Sequence, residues 1–236
     1  MKIGVLLCDN VDKELQSQYG QYCDYFEKFI TTSNPQAEIK FYQLDHGEFP
    51  SDVNDHNAYM ISGSRRSCFE EEDWIFKLLD FIRTVRDSTR KIFGVCFGHQ
   101  AIALALGGDV SRYNGGWGLG VHDFQVTAQP AWVKPLKNKI SLIVSCQDQV
   151  IKLPENGVKY LNSEFVEFAG FAVGNNVVTI QAHPELDEVY GRYLLEKRIK
   201  TNVLNDEHIR LATNSFDKKL DNELASNWIN NFFQGS

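Results

Sequence analysis

The stretch Lys91-Ile92-Phe93-Gly94-Val95-Cys96-Phe97-Gly98-His99-Gln100 constrains the fold of this chain more than any other. Residues 91–95 form a short apolar run that predicts a buried strand, and residues 101–106 predict a buried helix that stops at Gly107-Gly108. A cysteine between two glycines therefore sits where a strand turns into a helix. Small flanking residues let the two elements approach closely, and the corner residue projects at the carboxyl end of a sheet. The helix N-terminus favours thiolate over thiol there, which makes Cys96 a candidate nucleophile. Taken alone, the segment also fits a buried structural cysteine beside a tight turn.

A second segment far downstream completes the pattern. Residues 177–182 are another apolar run, followed by His183-Pro184-Glu185. A cysteine nucleophile needs a histidine to take its proton and return it to the leaving group, and the histidine needs a third group to fix its tautomer. If residues 177–182 run parallel to the Cys96 strand, His183 emerges at the same carboxyl edge, where open α/β sheets place their ligands. Glu185 is the candidate third group, and Pro184 stiffens the link between them. By itself His-Pro-Glu fits a loop histidine with a solvated neighbour. Beside the cysteine corner it reads as a base with its orienting carboxylate.

G-V-C-F-G-H-Q at 94–100 followed by Q-A-H-P-E at 181–185 resembles the triad, or class I, glutamine amidotransferases, and most closely the glutaminase domain of GMP synthetase. Ile61-Ser62-Gly63-Ser64 resembles the family's oxyanion strand, and Gly107-Gly108-Asp109-Val110 the segment after the nucleophile helix. Ser145-Cys146-Gln147-Asp148-Gln149-Val150 resembles its S-H-x-D-x-V segment. The similarity spans residues 2 to about 188, with all motifs in family order.

The resemblance implies a flavodoxin-like fold with Cys96, His183 and Glu185 as a catalytic triad. It implies oxyanion donors in the backbone of Phe97 and of the Gly63-Ser64 turn, aimed at a tetrahedral intermediate shielded from water. Gln100, Ser145, Gln147 and Asp148 would hold the amino-acid end of the substrate, with Asp148 facing its ammonium. Two positions depart from the pattern: the family usually has a second glycine where this chain has Ser64, and Cys146 stands in place of a common histidine. The second departure fits a donor larger than free glutamine, attached through the same γ-carbonyl. His99 is expected to serve in local packing or helix-end hydrogen bonding.

Periodicity predicts an α/β fold: a doubly wound, mostly parallel sheet flanked by helices. Strands are expected at 2–8, 38–44, 58–62, 91–95, 118–127, 141–146, 158–162, 165–173 and 177–182, with an antiparallel hairpin region before His183. Helices are expected at 19–31, over Trp74 to Val85, and after Cys96, while 9–18 reads as a polar loop. The domain expectation is a catalytic domain over 1–188, with 189–236 forming a helical extension packed on it.

With 236 residues, 43% of them hydrophobic, the chain can bury one large core but not two full enzymatic domains. The net charge of −7 includes no basic block, so nucleic acid is not an expected partner. No apolar run approaches the roughly 20 residues needed to span a bilayer, and the N-terminus shows no signal-peptide architecture. A cytoplasmic location away from membranes is expected. No cofactor or metal is expected either: the five cysteines lack C-x-x-C spacing, the histidines lack metal spacing, and no P-loop is present. Gly115-Gly116-Trp117-Gly118-Leu119-Gly120 precedes a strand-like run, so it reads as a turn beside the pocket and not as a dinucleotide fingerprint.

Three functions fit. The first is a stand-alone glutamine amidotransferase that hydrolyses the γ-amide through a Cys96 thioester and passes ammonia to a separate synthetase partner. The second is a hydrolase of γ-glutamyl peptides or conjugates using the same triad. The third is a non-catalytic regulator that retains the fold.

Overall fold

A computed structural model describes residues 1–235. Strands and helices are interspersed from the start: β1 (Lys2–Leu7), α1 (Gln16–Tyr19), α2 (Tyr22–Ser33), β2 (Glu38–Gln43), β3 (Ala58–Ile61), α3 (Asp73–Arg86), β4 (Lys91–Val95) and α4 (Phe97–Ala105). Seven strands follow, β5 (Asp109–Arg112), β6 (Gly118–Val126), β7 (Lys139–Cys146), β8 (Asp148–Lys152), β9 (Gly157–Asn162), β10 (Gly170–Val173) and β11 (Val177–Ile180). Three helices close the chain: α5 (Glu188–Ile199), α6 (Asp206–Ser215) and α7 (Asn222–Gln234).

Nine strands make one sheet in the order β2-β1-β3-β4-β11-β10-β9-β6-β7. Neighbours from β2 to β11 are parallel, and from β11 onward they are antiparallel. The change follows from the connections. α2 and α3 give β1–β2 and β3–β4 the long crossovers that parallel pairing needs, whereas Gly174-Asn175-Asn176 between β10 and β11 can only fold back on itself. β5 and β8 pair separately.

The alternation of side chains along the strands divides the core between two faces. Ile3, Val5 and Leu7 of β1 pack with Phe26 and Phe29 of α2 and with Trp228 and Ile229 of α7. Leu6, Tyr59, Ile61 and Ile92 face the other way, onto Ile75, Leu78 and Ile82 of α3 and Ile102 of α4. Burying one such aliphatic side chain is worth about 1.5–3 kcal/mol, against about 0–1 kcal/mol for an exposed ion pair, so these two layers dominate the stability of the parallel half. The expected α/β class, with a central sheet covered on both faces, is therefore the fold. α5 and α6 form a third packing unit on β6 and β7, through Tyr190, Leu195, Ala212 and Phe216 against Leu119, Val121 and Ile143.

Several local expectations shift. Residues 13–19 are short helical turns and not loop. α2 begins at Tyr22, because Gln21 and Asp24 form a reciprocal capping box that fixes its first turn. Residues 165–169 are not strand: Ser163 and Val166 close a turn through Ser163 N–H to Val166 O at 2.8 Å and Val166 N–H to Ser163 Oγ at 3.0 Å. β5 and β8 are strands that periodicity does not predict, since their polar residues carry little apolar alternation. Among the described residues, no helix is long and apolar enough to cross a membrane.

Candidate active site

β4 and β11 are adjacent and parallel, with Ile180 opposite Val95. Both strands run out at the same rim, so Cys96 and His183 border one cavity of about 410 Å³. Cys96 occupies φ 50° and ψ −101°, a region costly for any residue but glycine, by about 1–3 kcal/mol. The surroundings hold it there: Cys96 N–H donates to Ile180 O at 2.9 Å, and Gln100 N–H donates to Cys96 O at 3.1 Å. α4 lies so close to β3 and β4 that a β-carbon at Gly94 would meet Gly98 O at 2.5 Å, and one at Gly98 would meet Ile61 O at 2.6 Å. The two glycines of the corner are there for contact.

His183 is fixed at both ends. Its backbone N–H donates to Ile143 O of β7 at 2.8 Å, and its ring Nδ1 lies 2.7 Å from Glu185 Oε1. Burial alone pushes the imidazole down. The charge of Glu185, followed by the charge of and hydrogen bond to the Cys96 side chain, overcomes that penalty and holds His183 well above its ordinary value of 6.5. This sign suits a protonated imidazole held between Glu185 and the Cys96 side chain.

Ser62 positions the Gly63-Ser64 turn. Its Oγ accepts from Cys8 N–H at 2.8 Å and donates to Gly63 O at 2.9 Å, while its carbonyl accepts from Gly98 N–H at 3.2 Å. The N–H groups of Ser64 and Phe97 are not consumed by backbone hydrogen bonds among the described residues. Ser64 Oγ accepts from Arg66 N–H at 3.1 Å.

The residues expected to hold the substrate are brought to the same cavity, but in unequal states. Gln100 is buried, and its Nε2 donates to Asp148 O at 2.7 Å and to Gln181 Oε1 at 3.1 Å, tying α4 to β8 and to the residue that follows β11. The Asp148 carboxylate accepts from Ser67 Oγ and from Arg112 Nε at 3.2 Å. Ser145 lines the cavity half-buried, and the Gln147 carbonyl accepts from Tyr113 N–H at 2.9 Å. Cys146 also faces the cavity. Burial first, then the charges of Cys96 and Asp148, push its thiol far up, so it stays protonated beside the candidate nucleophile. Cys68 is driven up to about 12, by burial first, then Asp148. His99 is fully buried, with Nδ1 2.8 Å from Thr179 Oγ1, which makes it a packing residue.

Several residues around the cavity were not expected from the sequence. Ser67 and Arg112 engage Asp148; Tyr190 and Arg198 of α5 form part of the cavity wall. Arg112 had a signal, because it stands directly opposite Asp148 in the β5–β8 ladder. Recognising that strand pair would have revealed the ion pair. The α5 residues lie beyond the matched motifs and carry no local signature.

The family model for glutamine amidotransferase class-I matches residues 36–200. The chain is 29% identical over 223 residues to gamma-glutamyl peptidase 4 of Arabidopsis thaliana, covering 89% of this chain and 88% of that protein. Its fold is shared with a glutamine amidotransferase from Thermotoga maritima, at 17% identity, TM-score 0.77 and 98% coverage of both chains. A putative GMP synthase component from Thermoplasma acidophilum aligns at 20% identity and TM-score 0.60, covering 92% of this chain and 98% of the other.

Proposed function

The chain belongs to the class-I glutamine amidotransferase family, and from that premise we propose that it hydrolyses the γ-glutamyl amide bond of small peptides or conjugates. The observation that carries this reading is the extent of the cavity. It does not stop at the Cys96–His183 corner but continues to a wall formed by Tyr190, Tyr193, Leu194 and Arg198 of α5 and by Trp117. Ammonia as a leaving group needs no such extension, whereas the amine of a peptide fills it. Cys146 in place of a histidine, and the similarity to a protein named as a gamma-glutamyl peptidase, support the same choice.

The proposed chemistry runs in two halves. The Cys96 thiolate attacks the γ-carbonyl carbon, and the resulting oxyanion is met by the N–H groups of Phe97 and of the Gly63-Ser64 turn. His183, held by Glu185, protonates the departing nitrogen as the C–N bond breaks and a γ-glutamyl thioester forms. His183 then takes a proton from water, which attacks the thioester, releases glutamate and restores the thiol. Gln100, Ser145, Gln147 and Asp148 border the amino-acid end of the donor. The sum is γ-glutamyl amide plus water giving glutamate plus a free amine.

Glutamine hydrolysis with ammonia passed to a synthetase partner uses the same steps and differs only in the leaving group. A panel of glutamine and γ-glutamyl dipeptides, with glutamate and ammonia measured separately, tests the reading. Turnover of the dipeptides at higher kcat/KM than glutamine is expected. Efficient ammonia release from glutamine alone, or only after a partner protein is added, would overturn it.

A further inference from the structure

We propose that Arg198 selects the leaving group by binding a free carboxylate at its far end, so that the favoured donors are γ-glutamyl peptides with an unblocked C-terminus. The inference rests on the γ-glutamyl reading of the cavity given above.

The cavity is lined by several Arg and Lys side chains, and among the described residues all but one are already neutralised. Arg65 pairs with Asp9 at 2.8 Å and Asp12 at 3.0 Å, and Lys197 with Asp12 at 3.0 Å. Arg66 is held by Glu70 at 3.2 Å and Glu72 at 3.1 Å. Arg112 is held by Asp148 at 3.2 Å. Arg198 has no carboxylate partner among the described residues; its guanidinium lies over the Trp117 ring, 3.4 Å from the centroid. Half-buried and without an ion pair, it is pushed down by desolvation alone. A guanidinium carries five N–H donors in its plane and no acceptor. Stacking occupies its face and leaves that edge for a planar anion, the geometry in which arginine takes a carboxylate in two parallel hydrogen bonds.

The local chain is built to keep this stack in place. Trp117 precedes β6, and α6 closes directly over the start of that strand: a β-carbon at Gly120, which has φ +85°, would meet Ser215 Oγ at 2.3 Å and Ala212 O at 2.7 Å. The contact holds the helical layer against β6, with Arg198 at the last turn of α5 above Trp117. The glycine-rich stretch 115–120 thereby acquires a purpose: it seats an aromatic platform under a cation at the cavity wall.

The test compares a γ-glutamyl dipeptide bearing a free C-terminal carboxylate with the same dipeptide ending in a carboxamide, followed by glutamate release. The parent enzyme is expected to prefer the acid by roughly ten- to hundredfold in kcat/KM, the range of one charge-assisted recognition contact. Most of the difference should lie in KM. In R198Q the preference should collapse to about one, and in R198K it should be partly retained. Equal kcat/KM for acid and carboxamide in the parent would overturn the inference while leaving γ-glutamyl hydrolysis standing, and this comparison does not depend on any variant folding. Turnover of neither peptide would overturn both the inference and the reading beneath it. An acid preference that survives in folded R198Q would overturn the role of Arg198 and assign the carboxylate to another residue.

Discussion

The position of Gly63 leaves space that the His183 imidazole uses: a β-carbon at residue 63 would lie 2.7 Å from His183 Cε1 and 3.7 Å from Cys96 Cβ. The absence of one side chain on β3's exit therefore sets where the histidine of β11's exit can stand. Gly63→Ala is expected to displace the imidazole and lower kcat/KM by about 10²-fold, because small misplacements of a proton-transfer group are costly. Steady-state kinetics beside a melting curve separate this from unfolding. Full activity in Gly63→Ala would remove the packing argument.

The strained corner makes its own prediction. Cys96→Ala and Cys96→Gly should both abolish turnover, yet Cys96→Gly should be the more stable by about 1 kcal/mol, since only glycine occupies φ 50°, ψ −101° without strain. Chemical denaturation of the two variants measures the difference. A more stable alanine variant would show that the corner is unstrained.

Protonation of His183 depends chiefly on Glu185 overcoming burial. Glu185→Gln should lower the imidazole titration seen by NMR and reduce kcat by at least about 10²-fold. The raised native value also has a stability consequence. Its contribution is fully present below the ordinary value of 6.5 and is lost as pH rises through the native one. The stability gap between parent and His183→Gln should thus narrow on the alkaline side. A gap independent of pH contradicts this.

His99 acts in the opposite direction. Burial lowers it to about 3 from 6.5, so the unfolded chain takes up a proton first as the solution is acidified. Stability should fall between pH 6.5 and about 3, and His99→Gln should flatten that limb. Urea titrations at a series of pH values test the slope, and an unchanged slope in the variant would assign acid sensitivity to other groups.

Asp148 is proposed to face the donor's ammonium while Ser67 and Arg112 orient it. Asp148→Asn keeps the shape and removes the charge, and KM for the γ-glutamyl donor should rise by about ten- to hundredfold, with a smaller change in kcat. An unchanged KM would leave Asp148 as a structural partner of Arg112.

The parts of the candidate site that were legible in the sequence are those in which neighbours along the chain settle the local geometry. An apolar run, a glycine, a cysteine and a second glycine dictate a strand-to-helix corner within ten residues, and β11 ends just before His183-Pro184-Glu185. Local geometry also suffices for the His183–Glu185 hydrogen bond, whose partners are two residues apart. Gln100 was legible only as a candidate, and not in its state: its amide reaches Asp148 O and Gln181 Oε1, which a helix position alone does not reveal.

What the chain by itself determined, then, is the order of the elements with clear apolar periodicity, β5 and β8 excepted, together with the corner at Cys96 and the identity of the candidate chemical groups, because these depend on side-chain periodicity and backbone freedom. The pairing of charges was decided only in three dimensions. Asp12, Arg65 and Lys197 meet across three distant segments, Arg112 finds Asp148 through a two-stranded ladder, and Arg198 comes to rest on Trp117 because α5 and α6 settle on β6. Electrostatic partners and cavity shape belong to the packed layers. They depend on which surfaces meet, and no run of adjacent residues carries that.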